Sequence, residues 1–316
     1  MSMDYGSAKY PVFFLLLATI VSSCAHRDYS TMDVNIVRSG TIFDRNIGEA
    51  SGLAVSRIHG DIIWVINDSG NSASVYALNP GGEVMGTLNI QGVSNNDWED
   101  LASFEYQGKS YILIADVGDN AARRKACFLH FIEEPDIKRN SNLFTLSAKP
   151  SWSMTYTYED GPRDCEAVAV DIIHEKVFLL SKRDIPLLLY ELPLAKQQNA
   201  VARKRAEIEP LPKRTQGIRD YIESSNQPTA MDISPDGLSA VILTYGSAFY
   251  FSNKESADWA TVFSGSPRRI MFPPLRQAES VCFDKDGSSI FITSEQIPAP
   301  LLKIDVSELV SMNDTY

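Results

Sequence analysis

Ala278-Glu-Ser-Val-Cys-Phe-Asp284 is followed by the turn Lys285-Asp-Gly287 and the apolar run Ile290-Phe-Ile-Thr293. This succession decides the fold because it recurs along the chain, and internal repetition is the first signal to seek in a sequence. Four further openings share its small or acidic start and its short run of small and apolar residues. They are Glu49-Ala-Ser-Gly-Leu-Ala-Val-Ser56, Trp98-Glu-Asp-Leu-Ala-Ser-Phe104, Cys165-Glu-Ala-Val-Ala-Val-Asp171 and Pro228-Thr-Ala-Met-Asp-Ile-Ser234. Polar turns such as Ser234-Pro-Asp-Gly237 follow, in which glycine accepts the positive φ a tight turn requires.

Working outward, each turn leads to a second run rich in β-branched and aromatic residues. These runs are Ile62 to Ile66, Tyr111 to Ala115, Lys176 to Leu180, Ala240 to Thr244 and Ile290 to Thr293. Their length and composition read as buried strands. Third runs follow at Ser74 to Leu78, Ala126 to Ile132, Leu187 to Tyr190, Ala248 to Phe251 and Leu301 to Ile304. Fourth strands are predicted at Val84 to Ile90, Ser153 to Tyr158, Ala206 to Pro210 and Arg268 to Phe272. The last unit has none, but Val34 to Phe43 precedes the first unit without a unit of its own. Pairing that segment with the last unit closes the ring and removes exposed sheet edges. The expectation is an all-β chain, a single β-propeller of four-stranded blades closed by an N-terminal strand. Five blades are favoured over six, for which the long gaps around the third unit leave room. Short helices are expected at Thr215 to Ser224 and Ser256 to Phe263.

The formal net charge is −11 over 316 residues. That sign disfavours nucleic acid as a partner. Cys127, Cys165 and Cys282 are odd in number and far apart, and read as small buried apolar residues. None of the four histidines pairs at a zinc-ligand spacing. The run Val12 to Val21 is too short to span a bilayer and suits a secretory signal. Val21-Ser-Ser-Cys24 resembles the bacterial lipobox. The expected organisation is a lipoprotein signal peptide over 1–23, a short tether over 24–33 and the propeller over 34–316. Cys24 is then the lipidation site, and the chain is anchored in the bacterial cell envelope. Ala25 matches the pattern of outer-membrane sorting, facing the periplasm.

Starts of first strands and ends of second strands converge at one mouth of a propeller channel, where loops from every blade meet. The sequence places many oxygens there. Asp68, Glu99, Asp100, Asp116 and Asp119 are the candidate metal ligands, and Glu49, Glu166, Lys182, Arg183, Glu279 and Glu295 the candidate channel-lining residues. Unpaired carboxylates repel one another and a hard cation relieves this; Ca²⁺ takes 6–8 oxygens in loose geometry. Salt bridges through Arg123, Arg124, Lys182 and Arg183 are the competing answer, and carboxylates bonded to backbone amides a third.

The openings Glu166-Ala-Val-Ala-Val-Asp171 and Glu279-Ser-Val-Cys-Phe-Asp284, with Asn67-Asp-Ser-Gly70 and Asp97-Trp-Glu-Asp100, resemble bacterial extracytoplasmic propellers. That neighbourhood includes phytase-like propellers and the gluconolactonase and paraoxonase calcium propellers. The resemblance implies a calcium ligand at Glu99-Asp100, matching a Glu-Asp pair of the paraoxonase-like group, whose catalytic histidine has no counterpart here. For the phytase-like group it implies phosphate binding by Lys182 and Arg183. Three functions follow: a ligand-binding propeller with Ca²⁺ at the channel mouth, a calcium-dependent hydrolase of a phosphoester or lactone, or a scaffold in an envelope complex.

Overall fold

The computed structural model describes Met1 and residues 30–138, 143–212, 226–255 and 257–307. Cys24 and the helix expected at Thr215 to Ser224 lie outside the described residues. The chain is all-β, with twenty-two strands and one short helix among those residues. Strands β1 (Thr31–Met32) and β2 (Ile36–Ile42) lead into a first antiparallel meander of β3 (Ala50–Val55), β4 (Ile63–Asn67), β5 (Ser74–Leu78) and β6 (Val84–Ile90). The second meander is β7 (Trp98–Tyr106), β8 (Lys109–Asp116) and β9 (Cys127–Glu133). It is interrupted by β10 (Phe144–Ala148) and completed by β11 (Trp152–Tyr158). The third is β12 (Cys165–Asp171), β13 (Lys176–Ser181), β14 (Leu187–Pro193) and β15 (Asn199–Ile208). The fourth is β16 (Pro228–Ile233), β17 (Ser239–Thr244), β18 (Ala248–Ser252), helix α1 (Trp259–Ser264) and β19 (Arg268–Ile270). The last is β20 (Ala278–Phe283), β21 (Ser289–Ser294) and β22 (Ala299–Asp305).

The last meander takes its fourth strand from the other end of the chain. β2 runs antiparallel to β22, with Ile36 opposite Ile304 and Ile42 opposite Ala299. Its far edge meets the β5–β6 turn, where Thr41 N–H donates to Gly81 O at 3.2 Å. Gly82 sits there at φ 84°, and a Cβ on it would come within 2.7 Å of the Thr41 carbonyl. Glycine is therefore required both for the turn and for the approach.

The first strand of every meander is buried along its whole length except for Glu105 in β7. These inner strands pack in cyclic order, β3 on β7, β7 on β12, β12 on β16, β16 on β20 and β20 on β3. The apolar core follows the same order, each cluster lying between one meander and the next. Trp64 and Ile66 meet Ile112 and Ile114, and Leu113 and Phe131 meet Val168 and Leu179. Ala169 and Leu180 meet Met231 and Ile242, and Val241 and Leu243 meet Val281 and Ile292. Leu53 and Val65 close the series on Cys282 and Leu301. Cys127, Cys165 and Cys282 are free and buried within these layers.

Three outer additions are absent from the sequence expectation. β10 pairs parallel to β6, the leading half of β15 pairs parallel to β11, and β1 pairs parallel to β19. β15 thus crosses from one meander to the next and fuses them into an eight-stranded sheet, ordered β12-β13-β14-β15-β11-β9-β8-β7. Its end strands, β12 and β7, lie against each other, so this sheet nearly closes on itself. The gaps with room for a sixth unit hold β10 and the leading half of β15. The basic run on β15 faces solvent and acidic partners. Arg203 pairs with Glu159 at 2.9 Å, Lys204 with Glu207 at 3.2 Å and Arg205 with Asp258 at 2.7 Å.

Candidate functional site

One local irregularity recurs in all five inner strands. The register against the second strand slips by one at the second residue, leaving Ser51, Glu99, Glu166, Thr229 and Glu279 as bulged residues. A bulge re-aims the side chain of the extra residue and is common beside functional sites. Ser51 and Thr229 use theirs to tie adjacent strands: Ser51 Oγ donates to Trp98 O and Thr229 Oγ1 to Ala278 O, both at 2.8 Å. The other three bulges carry carboxylates, all buried.

Glu99 joins two loop carboxylates. Asp68, just after β4, Asp97, just before β7, and Glu99 each offer an oxygen within 4.8 Å of the others. The loops are fixed from behind. Asn95 Nδ2 donates to Asn67 O at 2.9 Å and Asp68 O at 2.8 Å. Val117 and Gly118 N–H donate to Asp97 O at 3.1 and 3.2 Å. Gly118 leaves the space the cluster occupies, because a Cβ there would collide with Glu99 Oε1 and lie 2.5 Å from Asp97 Oδ2. Glu99 is 6 % exposed, and its carboxylate accepts no hydrogen bond among the described residues.

Burial and neighbouring carboxylates act together on this cluster. Burial and Asp68 lift Asp97 to about 6. Burial, then Glu166, Asp68 and Asp97, push Glu99 well above the usual carboxylate range. Burial and a hydrogen bond shared with Glu279 raise Glu295 to about 9. Burial also lifts Glu166, against the pull of Lys182. Burial disfavours the Lys182 ammonium, yet Glu166 and Tyr245 hold it charged; its Nζ donates to Glu166 Oε1 and, at 3.0 Å, to Tyr245 Oη.

No protein-family model matches this chain, and no curated protein matches it.

The eleven residues expected at the mouth divide by what they touch. Asp68 and Glu99 belong to the three-carboxylate cluster, while Asp100, Asp116 and Asp119 are engaged by protein donors. Asp100 is 0 % exposed and accepts from Leu101 N at 2.9 Å, Val168 N at 2.8 Å and Met231 N at 3.1 Å. Asp116 pairs with Arg124 Nη2 and accepts from Asn96 Nδ2, both at 2.7 Å. Asp119 accepts from the backbone N–H of Arg123 at 2.8 Å and Arg124 at 2.7 Å. Arg183 pairs with Asp164 at 2.6 Å. Glu49 accepts from Asn71 Nδ2 at 2.7 Å. Glu166, Glu279 and Glu295 act electrostatically on the cluster or on one another.

Asp97 is the member that the candidate ligand set lacks. Asp97 precedes β7 and Glu99 is the bulged residue, so the slip at Glu99 brings its carboxylate to the loop carboxylates while Asp100 rejoins the ladder. The donor set is oxygen only, with three carboxylates and no sulfur or imidazole. It suits a hard cation, Ca²⁺ above all, and not zinc, which favours nitrogen and sulfur ligands.

Proposed function

We propose that this chain is an envelope-anchored binding protein, a five-bladed propeller that holds Ca²⁺ at one mouth of its channel. Each meander is one blade, and the β2–β22 pairing closes the ring. The observation that carries the reading is the Asp68–Asp97–Glu99 cluster, whose buried Glu99 carboxylate has no protein donor among the described residues and lies near three other carboxylates, with Lys182 as the opposing charge. Calcium supplies the missing positive charge and orders the loops at the mouth, and a ligand then meets a rigid rim on which Lys182 and Tyr245 are already placed.

Calorimetry and melting curves on metal-free protein test it. At ~100 times its dissociation constant, Ca²⁺ should stabilise the fold by about 2.7 kcal/mol. Glu99→Gln keeps the shape, removes one charge and should weaken that response severalfold while leaving the metal-free fold intact or slightly firmer. The pH dependence has a definite sign. Asp97 and Glu295 have raised folded-state pKa values of about 6 and 9, so the folded protein holds protons that the unfolded chain releases. Their contribution is fully present below their ordinary values and is lost as pH rises through 6 and then 9. Metal-free protein should therefore melt progressively lower across that window, and Ca²⁺ should flatten the decline. A melting temperature insensitive to both millimolar Ca²⁺ and chelator rules the site out.

The anchor is proposed at Cys24. No helix among the described residues is long and apolar enough to cross a membrane. Cys24→Ser should abolish acyl labelling in cells and move the protein out of the membrane fraction. Equal partition of both forms, with no label on either, would reject the anchor.

A further inference from the structure

The far ends of the same inner strands line a cavity of about 430 Å³. Its β7 lining lies three to six residues along the strand from Glu99, roughly 10–20 Å at the rise of a strand. All five meanders contribute to it: Arg57 after β3, Ser103 and Phe104 on β7, Val170 on β12, Asp232 on β16 and Lys285 after β20. Its volume falls in the range of small-molecule sites.

Arg57 is its distinctive residue. The residue is 8 % exposed. Nε donates to Ser103 O at 3.0 Å and Ser103 Oγ at 3.1 Å, and Nη1 reaches Lys285 O at 3.3 Å. Nη2 has no acceptor, and the guanidinium no ion-pair partner, among the described residues; the Glu134 carboxylate accepts only from the Arg57 backbone N–H, at 3.0 Å. A buried cation without a contacting anion is costly. Asp232 offsets the charge only from a distance, because its oxygens are held by Ile233 N at 2.9 Å and Phe283 N at 2.8 Å. The chain fixes Arg57 through Nε and one Nη1 hydrogen bond and leaves Nη2, in a residue that lines the cavity, without a protein acceptor among the described residues.

We propose that this cavity binds a small organic monocarboxylate, its carboxylate held on the outer fork of Arg57 and its apolar body against Phe104, Val170 and Ile233. A planar guanidinium edge matches a carboxylate in two parallel hydrogen bonds. The negative charge of Asp232 on the same wall disfavours a phosphate dianion. Lys285 arches over the rim with Nζ on Ile58 O at 3.3 Å, and adds a second, exposed positive charge. The site shares no residue with the calcium cluster, so chelation and Glu99→Gln should leave it unaffected.

Benzoate, with benzamide as its neutral isostere, is the probe, read by calorimetry and thermal shift on the full chain. Benzoate should bind and raise the melting temperature, and benzamide should do neither. Arg57→Lys keeps the charge but removes the fork, and should weaken benzoate on the order of tenfold or more. Ala102→Leu, at a lining position of β7 beside Ser103, fills the cavity while leaving Arg57 in place, and should abolish binding in a chain that still melts cooperatively. Absence of binding by the wild type, equal binding of benzamide, or benzoate binding that survives Ala102→Leu would each overturn the proposal.

Discussion

Asp100→Ala should cost several kcal/mol of stability in the presence and absence of calcium alike. The Asp100 carboxylate accepts from three backbone N–H groups on three different inner strands: Leu101 on β7, Val168 on β12 and Met231 on β16. Burial pushes its pKa up, and those donors pull the other way by stabilising the charged form. Alanine would leave all three donors buried and unpaired, at about 1–3 kcal/mol each. Against a total stability of about 5–15 kcal/mol, such a loss is a large fraction of the fold. In a domain of this size it should lower the melting temperature by roughly 10 °C or more. Asp100→Asn keeps one acceptor oxygen and should fall between. A ligand to the metal would behave differently: its loss would appear as a weaker calcium response with the metal-free fold spared, the pattern expected of Glu99→Gln. Denaturant titrations of both variants with calcium and with chelator separate the two roles. An Asp100→Ala chain within about 1 kcal/mol of wild type when metal-free would remove the strand-tie assignment.

The contrast between Asp100 and Glu99 also marks where the sequence is legible. The strand meanders can be read because each carries its own apolar run and its own turn, local signals that need no partner. The closing role of Val34 to Phe43 can be read by counting, since one unit lacks a strand and one strand lacks a unit. The parallel outer strands cannot. β10 and the leading half of β15 are half-exposed, and what makes them strands is the free edge of β6 or β11, distant in sequence. The acidic residues are legible as a group, but their division is not. Whether a carboxylate ends on a backbone amide, an arginine or a cation depends on a one-residue slip in each inner strand. Glu99 is thereby turned away from the regular ladder that Asp100 rejoins. Arg57 shows the same limit: nothing in Val55-Ser-Arg57 reveals a guanidinium held by Ser103 and Lys285, which come from the second and fifth units.

Deleting 34–43 should abolish the fold, and moving that segment to the other end of the chain should restore it. β2 contributes six register pairs to β22 and buries Ile42 completely between the first and last meanders. Ladder hydrogen bonds contribute about 0.5–1.5 kcal/mol each and a buried Ile about 1.5–3 kcal/mol. Their loss therefore approaches the whole stability of a domain. It would also leave β22 as an unpaired edge, a template for pairing with other chains. The deleted chain should aggregate on expression. The permuted chain separates strand chemistry from chain order. Asp305 N–H donates to Asn35 O at 3.1 Å, so the end of β22 already lies beside the start of β2. A hairpin linker of about 2–5 residues is long enough to join antiparallel neighbours. In that permutant the last meander becomes a continuous four-stranded hairpin series like the first. It should be monomeric, with wild-type circular dichroism and a melting temperature within several degrees of the parent. A soluble, monomeric deletion variant with an unchanged melting temperature would show that β2 is not needed for closure. A permutant that fails to fold while the parent folds would show that β2 must be laid down first, its pairing with β22 notwithstanding.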